Sequence, residues 1–144
     1  GSTLAVNYHP LFSSFLGRFH DKDNQIRLIM VEFSKHYLLN QSSVPHTHVE
    51  DIYTALKERA RDVEEPVRRA TVIAICEVAA ENPDAVSSEI LDVIAERLRD
   101  KKEPIRAETM NRLSVLYRSL CKKWGEQSQW SETNKKQYGW IPTK

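Results

Sequence analysis

One motif recurs three times and limits what this chain can become. Arg18-x-x-Asp21, Arg59-x-x-Asp62 and Arg97-x-x-Asp100 are each followed, six residues after the aspartate, by a second arginine: Arg27, Arg68 and Arg106. The residue before that arginine is β-branched each time, as Ile26, Val67 and Ile105. The aspartates stand 41 and 38 residues apart. Self-similarity at such a period marks stacked supersecondary units, each too small to bury its apolar face alone.

The apolar pattern keeps the same phase. The residues ten, nine, six and two before each aspartate are Leu11, Phe12, Phe15 and Phe19, then Ile52, Tyr53, Leu56 and Ala60, then Ile90, Leu91, Ile94 and Leu98. All are apolar at helical spacing, so each unit opens with an amphipathic helix. A second stripe follows the aspartate: Ile26, Met30, Phe33, Tyr37 and Leu38, then Val67, Thr71, Ala74, Ile75 and Val78, then Ile105, Thr109, Leu113, Leu116 and Leu120. Helix-start chemistry lies between the two stripes. Pro66 and Pro104 suit a first turn whose N–H groups lack partners in any case. Asn24 is the expected cap in the first unit, and Thr47 with Glu50 reads as a capping box.

The expected fold is therefore all-α, an α-α superhelix of HEAT-repeat type. Three antiparallel helix pairs are expected at 10–20 with 24–40, 48–61 with 65–81, and 87–99 with 103–122. The repeats themselves are placed at about 10–40, 48–81 and 87–122, within a single segment spanning 3–144. Residues 123–144 read as a loop and the start of a further repeat. Ser131 is the expected cap of a short helix running to Lys136, and Trp140-Ile141-Pro142 the opening of the next unit. Gly1-Ser2 reads as an expression scar. A solenoid with an open end is expected to self-associate.

Composition excludes other classes. At 144 residues, 40% hydrophobic, the chain carries too much apolar material to be disordered. Lys plus Arg number 21 and Asp plus Glu 20, so it is no strongly basic nucleic-acid clamp. Four Gly and six Pro are few for an all-β domain. The longest apolar run, from Thr71 to Ala80, is short and broken by Glu77, so no membrane span is expected. No secretory leader is read. Cys76 and Cys121 form no framework and suit a reducing compartment.

The Asp and Arg positions read first as structure. An aspartate at a helix–helix turn caps orphan N–H groups, and an arginine of a neighbouring unit bridges to it with a planar fork. Asp21, Arg27, Asp62, Arg68, Asp100 and Arg106 are thus expected to form a structural ladder.

The residues also resemble a known family. Phe15-Leu16-Gly17-Arg18-Phe19-His20-Asp21, Ile26-Arg27-Leu28, Phe33-Ser34-Lys35-His36 and Leu39-Asn40 closely resemble one stretch of the sister-chromatid cohesion regulators named for precocious dissociation of sisters. Arg97 to Lys101, Ile105-Arg106 and Leu113 to Tyr117 resemble the repeat that follows there, and Trp140-Ile141 the start of its next helix. Two positions depart: an aromatic is expected near Glu103, and a small residue at Arg112. The resemblance implies a long HEAT solenoid that binds cohesin through its kleisin subunit. It further implies engagement of the release factor Wings apart-like and of sororin through other parts of the protein, and control of both maintenance and removal of cohesion. This chain would be a central segment, nuclear and chromatin-associated, associated with DNA mainly indirectly, and without catalysis.

Weighing the sites gives the same answer. His46-Thr47-His48 is the only close histidine pair, and a metal site needs three or four supported ligands. It reads as a solvated loop. Cys121 beside Lys122 and Lys123 lacks a base and an oxyanion site. No catalytic, metal or cofactor residue is expected. The basic pairs Lys101-Lys102, Lys122-Lys123 and Lys135-Lys136, with Trp124, Trp130 and Trp140 near them, keep a nucleic-acid reading open. A pocket for an inositol polyphosphate, or the role of an unrelated adaptor or transport HEAT protein, also stays open. The tryptophans read more simply as cover for the end of the stack. The expected protein-binding strip lies on successive second helices. Tyr37, Val78 and Leu116 share a row, which reads either as inter-repeat core or as a binding strip; Glu81 stands one turn beyond Val78, and Ile73 and Glu77 are exposed neighbours. Tyr37, Val78, Glu81, Ile73 and Glu77 are the expected kleisin contacts.

Overall fold

A computed structural model describes residues 9–40 and 46–141. The described residues hold seven α-helices and no strand, in the arrangement of a HEAT-like α-α superhelix. They are α1 (His9–Gly17), α2 (Asn24–Leu39), α3 (His46–Arg59), α4 (Glu65–Glu81), α5 (Ser88–Glu96), α6 (Glu103–Trp124) and α7 (Glu132–Tyr138). Short 3-10 turns at Arg18–His20 and Arg97–Arg99 tighten the ends of α1 and α5.

The second helices α2, α4 and α6 pack side by side and form the spine. Their buried stripes interlock: Met30, Val31 and Leu38 of α2, Val72, Ile75 and Val78 of α4, Leu113, Leu116 and Leu120 of α6. The first helices add Phe19, Ile52, Leu56, Leu91 and Ile94 to one continuous core. Full burial of each such side chain is worth about 1.5–3 kcal/mol, so the three units are held by one shared apolar layer. Thr71 and Thr109 enter it by bonding their hydroxyls to the carbonyls of Val67 and Ile105, 2.8 and 2.7 Å away.

Four local expectations are corrected. Asp23, not Asn24, caps α2, its carboxylate accepting from Gln25 N at 2.8 Å. The aspartate leaves Asn24 as the first helical residue. α3 begins at His46, one residue before Thr47, so Thr47 does not stand at the helix start, and its side chain lies outside the described residues. His46-Thr47-His48 is accordingly not a loop but the first turn of α3, and His48 is buried, stacked on Phe12 with ring centroids 3.9 Å apart. Phe33, expected in the core stripe, is 51% exposed. Its counterpart six residues after Arg68, Ala74, is buried between helices, whereas Phe33 is covered only in part, by Phe15 of α1 (5.5 Å) and Tyr37 (6.3 Å).

Beyond α6 the chain turns at Gly125, whose φ of 82° lies in the left-handed region and whose N–H closes on Cys121 O at 2.8 Å. A Cβ there would also meet Gln129 Oε1. Ser131 caps α7 by accepting from Asn134 N at 3.1 Å. Trp130 packs on Tyr117 (5.4 Å) and on Trp124 (5.3 Å), and Trp124 on Tyr138 (6.0 Å). Tyr138 in turn donates its hydroxyl to Pro83 O at 2.6 Å. These aromatics seal the distal half of α6.

Candidate functional site

The ladder is built at the turns between first and second helices. Each aspartate closes the preceding turn with its own N–H, to Arg18 O, Arg59 O and Arg97 O. Each then accepts on Oδ1 the N–H two residues ahead, from Asp23, Glu64 and Lys102, at 2.9 Å in all three. The side chain thereby satisfies a donor that the incoming helix cannot.

The arginines join one unit to the next. Arg27 donates Nε and Nη2 to the two oxygens of Asp62, at 2.9 and 3.1 Å. Arg68 repeats this on Asp100 at 2.8 and 3.1 Å. The remaining nitrogen, Nη1, turns back to the carbonyl of its own unit's aspartate, Asp21 or Asp62, at 2.7 and 2.9 Å. Arg59 and Arg97 add one bond each to Asp62 and Asp100, at 2.6 and 2.7 Å. Burial by itself would raise the pKa of both carboxyls. The bonds from Arg27 and Arg68, the backbone N–H donors and the nearby guanidinium charges outweigh it and hold both below the usual carboxylate value. The ladder is thus saturated within the chain and presents no free chemistry at Asp62 or Asp100.

The second-helix face differs from its expected form. Val78 is 1% exposed and lies in the core with Leu116, so the row on which it was placed is an inter-helix seam rather than a surface. The reason is spacing: ten residues after each ladder arginine, the side chain points between neighbouring second helices. Tyr37, the third member, is half-buried. Its hydroxyl finds no partner among the described residues, and burial raises its pKa. Glu81 is exposed at the end of α4, its carbonyl accepting from Lys123 Nζ at 3.3 Å. Ile73 and Glu77, expected to be exposed, are half-buried at mid-helix because α2 and α6 flank α4 on both sides.

Around them the structure brings together residues that no single motif links. A groove of about 320 Å³ runs between α2 and α4. Leu28, Ala70, Ile73 and Ala74 give it apolar surface; Glu32, Lys35 and Arg69 carry its charge. A chain of ion pairs crosses the same face. Lys35 meets Glu77 at 3.1 Å, Arg112 reaches Glu77 at 3.6 Å and Glu108 at 3.0 Å, and Arg69 meets Glu108 at 2.8 Å. Arg112, where the family resemblance implies a small residue, bridges α6 to α4 through Glu77, as Arg69 bridges α4 to α6 through Glu108. The bond from Arg69, then that from Arg112, lowers the Glu108 pKa against the cost of burial. The sequence held a signal for this: Glu108 and Arg112 are four apart on one helix face.

Other side chains offer little. Among the described residues no group of His, Cys, Asp and Glu is arranged to hold a metal ion, and no helix is long and apolar enough to cross a membrane. Cys76 is buried, which pushes its thiol up to about 12. Trp130 is buried and Trp124 partly buried, packed on one another and on the core.

Comparison with known proteins decides the family. The model of the sister chromatid cohesion protein PDS5 family matches residues 1–144. The chain belongs to the PDS5 family. Among its relatives, a sister chromatid cohesion protein PDS5 homolog of Dictyostelium discoideum is 31% identical over 130 residues, which is 90% of this chain and 9% of the relative. PDS5 homolog B of Gallus gallus is 34% identical over 143 residues, 99% of this chain and 10% of the relative. Homolog B of Homo sapiens is 34% identical over the same length, covering 9% of that protein. The chain therefore spans about a tenth of the PDS5 proteins it matches.

Proposed function

We propose that this chain is a non-enzymatic protein-binding scaffold within a cohesion regulator, and that its second-helix face takes a segment of the cohesin kleisin subunit. The observation that carries the reading is the groove between α2 and α4. Its volume of about 320 Å³ accepts one or two apolar side chains of an extended or helical segment. Ile73 is the central contact. Glu77 is met by Lys35 and Arg112, so Glu32 and Glu81 supply the remaining acidic charge of that edge, and the favoured segment pairs an apolar anchor with a nearby Lys or Arg. Tyr37 contributes from the far end of α2 through its half-buried ring, its hydroxyl being covered. Val78 acts from beneath by fixing the spacing of α2 and α4. Engagement of Wings apart-like and sororin is assigned to other parts of the longer protein, and the setting is the nucleus.

The competing polyanion reading rests on a hollow at the turn edge lined by Arg61, Arg68, Arg97, Arg99 and Lys101. It is weaker because three of these cations are spent: Arg61 on Glu96 at 2.7 Å, Arg68 and Arg97 on Asp100. The test is fluorescence anisotropy of a labelled kleisin peptide. Ile73→Asp and Glu77→Lys proteins, verified as folded by circular dichroism, are expected to bind at least tenfold more weakly. Undiminished binding by both rejects the groove.

A further inference from the structure

The first helices carry a groove of their own. It lies between α3 and α5, has a volume of about 360 Å³ and shares no residue with the groove between α2 and α4. Val49, Tyr53 and Ile90 are buried and give it an apolar floor. Glu50, Thr54 and Glu89 are exposed along its rim, and Lys57 is half-buried there. The charge on these two helices is one-sided. Residues 48–58 of α3 and 88–96 of α5 hold six carboxylates, at Glu50, Asp51, Glu58, Glu89, Asp92 and Glu96, against the single lysine Lys57. The chain as a whole is +1, so acid is concentrated here. Glu89, Asp92 and Glu96 follow at helical spacing on one face of α5. Part of this charge is answered locally. Lys57 meets Glu89 at 3.3 Å, Arg61 meets Glu96 at 2.7 Å, and His20 lies 3.5 Å from Glu58. Asp51 and Asp92 are exposed, with no cation on either among the described residues.

We propose that the groove between α3 and α5 is a docking surface for a short basic segment of a partner protein, in which one apolar side chain is flanked by lysines or arginines. The apolar side chain enters over Tyr53 and Ile90. The flanking cations meet Asp51 on α3 and Glu89 and Asp92 on α5. The Lys57–Glu89 pair spans the two helices at the surface, where such pairs are worth little, so it yields to an incoming cation. Charge complementarity selects this occupant. The same carboxylates repel nucleic acid, anionic lipid headgroups and acidic peptides. The apolar floor separates the site from a merely acidic surface, because it gives the segment one fixed register. The surface lies in the other helix layer from the α2–α4 groove and does not depend on it.

The test is fluorescence anisotropy with a fluorescein-labelled peptide that carries one leucine between two clusters of three basic residues. Variants are first verified as folded by circular dichroism. The Asp51→Lys, Asp92→Lys double variant, changed only at exposed positions, is expected to bind the peptide roughly tenfold more weakly. Thr54→Trp fills the groove without altering charge and is expected to weaken the peptide by roughly tenfold as well. It is expected to leave unchanged the weaker binding of a control peptide with glycine in place of the leucine. Ile73→Asp, in the α2–α4 groove, is expected to leave both peptides unaffected. Equal binding of the two peptides by the unaltered chain, undiminished binding of the leucine peptide by Thr54→Trp, or a loss in Ile73→Asp as large as that in Thr54→Trp overturns the proposal.

Discussion

Arg27 and Asp62, thirty-five residues apart in sequence, meet through two parallel bonds of 2.9 and 3.1 Å in the buried turn between two helix pairs. The planar guanidinium matches the carboxylate in a way a single ammonium does not. Removing one member of a buried pair leaves the other charge without compensation, at a cost of about 3–5 kcal/mol. Asp62→Ala is therefore expected to lower Tm by roughly 10–15 °C, with no selective loss of a partner while the protein remains folded. Arg27→Lys is expected to recover only part of the stability of Arg27→Ala. Calorimetry of the three variants checks this; an unchanged Tm for Asp62→Ala contradicts the role.

Stability is expected to depend on acid through the same groups. Asp62 and Asp100 have folded-state pKa values below the ordinary one, so folding favours their charged forms. Their contribution is full above the unfolded value of about 3.9 and is lost as pH falls through the folded values. Urea midpoints are expected to hold from pH 7 to about pH 5 and to drop steeply below about pH 4. The Asp62→Asn, Asp100→Asn double variant, less stable throughout, is expected to show a shallower acid slope.

The two thiols are expected to differ in reactivity. Cys76 is buried and its thiol is pushed up to about 12, so almost none is thiolate near neutrality. Cys121 is only half-buried. Titration with a chromophoric disulfide should label one thiol in the native protein and the second only at the rate of unfolding. Rapid labelling of Cys76 would mean that α4 opens locally.

The ion pairs on the second-helix face are half-exposed and carry less energy than the ladder. Arg112→Ala breaks the contacts with both Glu77 and Glu108, yet is expected to cost under about 1 kcal/mol. A measured loss comparable to that of Asp62→Ala would show that Arg112 acts as a buried strut.

Much of this fold is legible in the sequence because its unit repeats. The R-x-x-D phase places each turn, and the stripes place each buried face, since neighbouring units impose the same environment three times. What escaped has a physical cause in each case. Asp23 displaced Asn24 as a cap because two adjacent residues of equal capping power cannot be ranked without the helix start. Phe33 looked like core because periodicity reports a helix face but not whether a neighbour covers it. The row of Tyr37, Val78 and Leu116 carried both readings, core and surface, and the burial of Val78 and Leu116 places those two in the seam between helices. Of the groove between α2 and α4 only Ile73 was legible, because Leu28 and Glu32 belong to one unit, Pro66 and Arg69 to the next, and they meet only through packing.

The most direct measurement of the central claim is hydrogen-exchange mass spectrometry of the chain with and without a kleisin peptide. The account predicts slowed exchange on the facing helices α2 and α4, centred on residues 28–35 and 66–77, with the turn edge at residues 97–102 unchanged. Protection confined to that turn edge, or none on α2 and α4 at saturating peptide, would contradict it.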